Sequence, residues 1–86
     1  MNAQEVTEWI AAGEGTQIEF KERYSSRVIE SLAAFANTAG GRVLIGVDTR
    51  GRVAGLADAD RVVESVLSAS REAVSPPLTP QVEAVR

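Results

Sequence analysis

Three carboxylates and one lysine are the residues here whose types and spacing could do chemistry. Glu14 lies between Gly13 and Gly15, Glu19 follows five positions later, and Asp48 stands near the middle of the chain. If they met at one point, they would offer an oxygen-rich site for Mg²⁺ or Mn²⁺, and such an ion can polarise a phosphodiester and activate water. Lys21, two residues after Glu19, would share its face and could neutralise developing phosphate charge. An odd spacing inside one strand puts Glu14 and Glu19 on opposite faces. They converge only if the chain bends between them, and Gly13 and Gly15 make that bend cheap. The competing reading makes Glu14 a loop acid, Glu19 and Lys21 an exposed strand pair, and Asp48 an Asx-turn residue opening a hairpin. On spacing alone this plainer reading is the better one.

The acid–base repertoire is otherwise narrow. The chain has no Cys and no His, which excludes a disulfide framework, a thiolate or imidazole zinc site, and Ser-His or Cys-His nucleophile pairs. Catalysis, if any, therefore falls to carboxylates with a hard metal. A second unusual string, Ala36-Asn37-Thr38-Ala39-Gly40-Gly41, reads either as a helix end or as a loop (Asn37, Thr38, Gly40, Gly41) open to close backbone approach by a ligand. A phosphate-cradling glycine loop precedes a helix, whereas these glycines follow one, and a helix carboxyl end favours cations. No phosphate-loop or dinucleotide fingerprint occurs, so ATP has no support in the sequence.

The elements that would position these groups follow from periodicity. Val6, Trp9 and Ile10 recur at helical spacing, with Asn2 as N-cap and Gly13 as stop. Thr16 to Lys21 alternates, Ile18 and Phe20 against Gln17, Glu19 and Lys21, as a half-buried strand does. Ser25 or Ser26 caps a helix with Val28, Ile29, Leu32, Ala33, Phe35 and Ala36 as its apolar stripe, stopping at Gly40-Gly41. Arg42 to Val47 is a nearly continuous apolar strand. Asp48-Thr49-Arg50-Gly51 has turn chemistry, and Arg52 to Leu56 completes a hairpin. Asp58 caps a third helix with Val62, Val63, Val66 and Leu67 inward. A proline-rich break follows, and Gln81 to Val85 resembles a final strand. Trp9, Phe20 and Phe35 fall on apolar faces as core residues. The predicted order is α-β-α-β-β-α-β, an α/β (α+β) fold with about three helices on a small mixed sheet.

Charge is unevenly distributed. The net −3 resolves into −4 over residues 1–19, +3 over 20–52 and −2 over 53–86. The central bases are either solubilising surface or a phosphate-contacting stripe of Lys21, Arg23, Arg42, Arg50 and Arg52. The 86 residues suit one domain, with a core that is thin unless helped by oligomerisation or a larger parent chain. The unfinished last strand suggests a C-terminally truncated domain or part of a longer chain. No apolar stretch approaches the roughly 20 residues that span a bilayer, and no signal region is visible, so a cytoplasmic location without membrane contact is expected.

Three strings in order, Gly13-Glu14-x4-Glu19-Phe20-Lys21, Phe35-Ala36-Asn37-Thr38-x-Gly40-Gly41 and Val43-Leu44-Ile45-Gly46-Val47-Asp48-x2-Gly51-x-Val53-x-Gly55-Leu56, resemble the Schlafen AlbA-type (divergent AlbA, Schlafen-like) DNA-binding domain, found in many bacterial proteins read as transcriptional regulators. The resemblance is strong over residues 13–56. It implies a single nucleic-acid-binding α/β domain spanning residues 1–86, self-associating as a homo-oligomer or fused to further modules, with DNA or RNA as partner. In vertebrate Schlafen relatives the fold in duplicate forms an RNA-cleaving site of two glutamates and an aspartate. By motif position these match Glu14, Glu19 and Asp48, which would then bind Mg²⁺ or Mn²⁺. DNA binding is the leading expectation, a metal-dependent endoribonuclease the alternative, and a dimerisation module without nucleic acid the second alternative.

Overall fold

The computed structural model describes residues 2–85. The first helix, α1 (Ala3–Ala12), begins where the Asn2 side chain accepts the Glu5 N–H at 2.9 Å, and it ends at Gly13, whose φ of 81° is one that side chains rarely adopt. The chain continues through β1 (Ile18–Lys21), α2 (Ser26–Ala36), β2 (Arg42–Ile45) and α3 (Ala59–Glu72). Ser25 caps α2 through the Arg27 N–H, and Asp58 caps α3 through the Arg61 N–H.

The two strands pair in parallel, Ile18 opposite Arg42 and Phe20 opposite Leu44. Parallel pairing needs a crossover, and α2 supplies it. Alternation then sorts the faces. Phe20, Leu44 and Val47 form a buried cluster on which Trp9, Ile10 and Ile18 pack, so α1 covers that side. Glu19, out of phase with Phe20, turns toward α2 and accepts the Ser31 hydroxyl. Helix α2 buries Val28 and Ile29 and packs on β2 and on α3, which buries Val66.

The α+β class with three helices is as expected, but the sheet is smaller than the pattern predicts. The expected hairpin reduces to a single antiparallel bridge, Val47 to Val53. Gly46 and Gly55, at φ 97° and 76°, turn its arms out of ladder register, and both the Ala54 and Gly55 N–H groups converge on the Gly46 carbonyl. Gln81–Val85 forms no strand. Pro76, Pro77 and Pro80 remove three donors from the segment leading into it, and Leu78 instead donates its N–H to the Ser70 carbonyl at 2.9 Å. Helix α2 ends at Ala36, before the glycines, because Asn37 caps it and the Thr38 hydroxyl returns to the Phe35 carbonyl. Leu67, expected inside, is 37% exposed, so the inner face of α3 is carried by Val62, Val63 and Val66.

Candidate functional site

Glu14 is held by the outer edge of β1. The ladder to β2 is extended by Arg42 N–H to the Gln17 carbonyl at 2.8 Å and Gly46 N–H to the Lys21 carbonyl at 2.7 Å. Odd-numbered residues of β1 therefore face β2, and the Phe20 N–H points the other way. Glu14 Oε2 accepts that N–H at 3.1 Å, and the Gly15 N–H reaches the Ile18 carbonyl at 2.9 Å. The glycine-flanked bend is real. It folds the loop back onto β1 and satisfies an edge that would otherwise stand open.

Glu19 and Glu14 line one groove of about 190 Å³ with Gly15, Ile18, Ser31 and Phe35. Glu19 accepts the Ser31 hydroxyl, and its Oε2 lies 3.9 Å from Lys21 Nζ. Glu14 and Glu19 thus share one groove, and Lys21 stands beside Glu19. Asp48 has a different occupation. Its Oδ1 accepts the N–H groups of Arg50 and Arg52, each at 2.9 Å, and its Oδ2 lies 3.5 Å from Arg52 Nε. The Arg52 N–H above all, then the Arg50 N–H and the two guanidinium charges, hold the Asp48 carboxyl below its ordinary value, with partial burial opposing them. Among the described residues no three acids stand close enough to hold a metal ion. Glu14, Glu19 and Asp48 therefore do not form such a group, and each accepts a hydrogen bond from its own surroundings.

The bases divide between the two ends of the sheet. Lys21 closes β1, Arg23 and Arg27 lie at the entry to α2, and Arg50 and Arg52 occupy the turn after β2. All five belong to the carboxyl ends of the strands, where the amino end of α2 adds its partial positive charge. The turn bearing Arg50 and Arg52 leans on α1, since a Cβ on Gly51 would come within 3.2 Å of Ile10 Cγ2. Arg42 opens β2 at the far end, its guanidinium carbon 4.3 Å from the Trp9 ring centroid. Arg27 and Trp9 are additions to the sequence reading. Charge alone could have found Arg27, whereas nothing in the sequence links Trp9 to a residue 33 positions away.

The Asn37–Gly41 string follows α2 and packs back on it. Asn37 and Thr38 close α2, Gly40 has φ 91°, and a Cβ on Gly41 would lie 2.5 Å from the Phe35 ring. No helix among the described residues is long and apolar enough to cross a membrane.

No curated protein and no solved structure matches the chain. The family model described as Schlafen, AlbA_2 matches residues 14–86, a span that begins at Glu14 and takes in both strands, α2, α3 and the carboxyl-end bases. With most of its length under that match, the chain belongs to the Schlafen AlbA_2 family.

Proposed function

We propose that this chain is the DNA-binding module of a transcriptional regulator, gripping phosphates with Lys21, Arg23, Arg27, Arg50 and Arg52. Its family suggests a nucleic-acid-related function. The observation that carries the reading is that all five bases fall at or just beyond the carboxyl ends of β1 and β2, at the entry to α2 and in the turn after β2, in a chain of net charge −3. An acidic protein that concentrates positive charge at one end of its sheet directs its field there. Glu19 and Asp48 temper two of these bases, while Arg23 and Arg27 have no carboxylate partner among the described residues.

Fluorescence anisotropy of labelled duplex DNA, single-stranded DNA and RNA across a salt series tests the reading. Engagement of four or five phosphates gives a slope of log affinity against log salt of about −3.6 to −4.5 on duplex DNA and about −3 to −3.5 on single strands, and R50A/R52A makes it shallower by roughly 1 to 2. No binding of any nucleic acid at low salt overturns it. Transfer RNA incubated with Mn²⁺ beside an E19Q control separates binding from cleavage: cleavage by the unsubstituted chain alone would move the assignment to an endoribonuclease. Sedimentation with and without DNA distinguishes a dimerisation module, which would associate with itself and ignore the oligonucleotide.

A further inference from the structure

We propose that Arg42, carried on the indole of Trp9, is a stacking platform for one unpaired nucleobase, so that the preferred DNA carries a single-stranded or extruded base. The inference rests on the nucleic-acid reading and adds to it the form of nucleic acid recognised.

Arg42 differs from every other base in the central block. It lies at the amino end of β2, three strand positions from the Lys21 end, a separation of about 10 Å at about 3.3 Å per residue. It is exposed, and among the described residues no carboxylate pairs with it, whereas Lys21 and Arg52 have acids at 3.9 and 3.5 Å. Its guanidinium is not loose. The carbon sits 4.3 Å from the centroid of Trp9, within the range of a cation–π contact. Trp9 is itself fixed, half-buried against the cluster of Phe20, Leu44 and Val47. The Arg42 backbone is pinned in the ladder by its N–H to the Gln17 carbonyl.

A planar guanidinium with one face on an indole presents its second face to solvent. That face suits another flat π system, and arginine planes stack on nucleobases as aromatic rings do. Inside a duplex both faces of each base are covered by neighbours, so only an unpaired base can take the position. The approach is open, since Arg42 is exposed at the start of β2. Arg42, in register with Ile18, lies on the side of the sheet that α1 covers, and the turn bearing Arg50 and Arg52 leans on α1 as well. One strand can therefore lay its phosphates on Arg50 and Arg52 and reach Arg42 with a base.

Trp9 is the sole tryptophan of the chain and so a built-in reporter. The test titrates the full chain with labelled oligothymidylate of 12 nucleotides, a 12-mer of the same backbone made abasic, and a 12-base-pair duplex. Anisotropy reads binding and Trp9 emission reads the stack. The expected result is tighter binding of oligothymidylate than of the abasic strand by roughly 5- to 100-fold, the range base stacking supports. Trp9 emission changes only with oligothymidylate. R42K keeps the charge but not the plane, so it removes this preference while leaving the salt slope and the abasic affinity within twofold. Equal affinity for oligothymidylate and abasic strand, or an unaltered preference in R42K, overturns the stacking site and leaves phosphate binding intact. The ligand comparison uses the unsubstituted chain alone and so does not depend on how the variant folds. No binding by any of the three ligands overturns the nucleic-acid reading as well.

Discussion

Removing the Glu14 carboxylate tests whether this residue holds the fold. Its Oε2 accepts the Phe20 N–H at 3.1 Å in a half-buried setting, and Phe20 is the buried side chain at the centre of β1. A hydrogen bond to a charged acceptor contributes about 1.5–3 kcal/mol, and partial exposure brings the expectation for Glu14→Ala to about 1–2 kcal/mol. Glu14→Gln keeps an amide oxygen at the same reach and loses only the charge, so its cost is less than about 1 kcal/mol. In a domain of this size 1 kcal/mol moves the melting temperature by about 4–8 °C, which puts Glu14→Ala roughly 5–15 °C below the unsubstituted chain and Glu14→Gln less than about 8 °C below it. Thermal melts by circular dichroism give the ranking, and hydrogen exchange at the Phe20 amide locates the effect. That amide should lose protection in the alanine variant and keep most of it in the glutamine variant. If the alanine variant melts with the unsubstituted chain and the Phe20 amide exchanges at an unchanged rate, Glu14 has no structural duty and the account of the β1 edge is wrong.

Two further outcomes follow from the turn and from the end of α2. The folded chain holds the Asp48 carboxyl below its ordinary value of 3.8, so its stabilising effect is fully present above that value and is lost as pH falls through the lower folded pKa. Urea midpoints measured between pH 6 and 2 should therefore fall less steeply on acidification in Asp48→Asn, whose amide oxygen still accepts the Arg50 and Arg52 N–H groups; parallel curves would remove Asp48 from the acid response. Gly41→Ala places a methyl 2.5 Å from the Phe35 ring and should destabilise by about 1–3 kcal/mol, a loss read by thermal melts and partly restored by adding Phe35→Leu. Full stability in Gly41→Ala would show that Gly41 is not there for Phe35 and would return the Asn37–Gly41 string to the ligand-approach reading.

Much of the fold is legible because its signals are local. Asn2, Ser25 and Asp58 each cap the helix that their side-chain oxygens predict, and Ile18 and Phe20 face the core as the alternation requires. The misplaced elements are those decided by partners far along the chain. Gln81–Val85 alternates like a strand, but a strand needs an edge to pair with, and no neighbouring edge takes it. Leu67 keeps helical spacing yet falls where α2 does not cover α3. Glu14 and Glu19 come together because the glycine bend could be read from Gly13 and Gly15. The contact of Arg42 with Trp9 depends on α1 covering the same side of the sheet as the start of β2, a tertiary fact with no local signature.

The balance between binding and cleavage turns on what each carboxylate already does. Glu14 accepts the Phe20 N–H, Glu19 the Ser31 hydroxyl, and Asp48 two backbone N–H groups that shape the turn bearing Arg50 and Arg52, and among the described residues the three do not stand close enough together to hold one cation. Bringing all three onto one cation therefore requires their elements to shift. Phosphate binding asks for no such rearrangement. The carboxylates can stay where they are, tying β1 and the turn, while Arg23, Arg27 and Arg42 stand without acid partners among the described residues. These acids hold local hydrogen bonds beside the bases, and substitutions among them should reach nucleic-acid affinity through stability first.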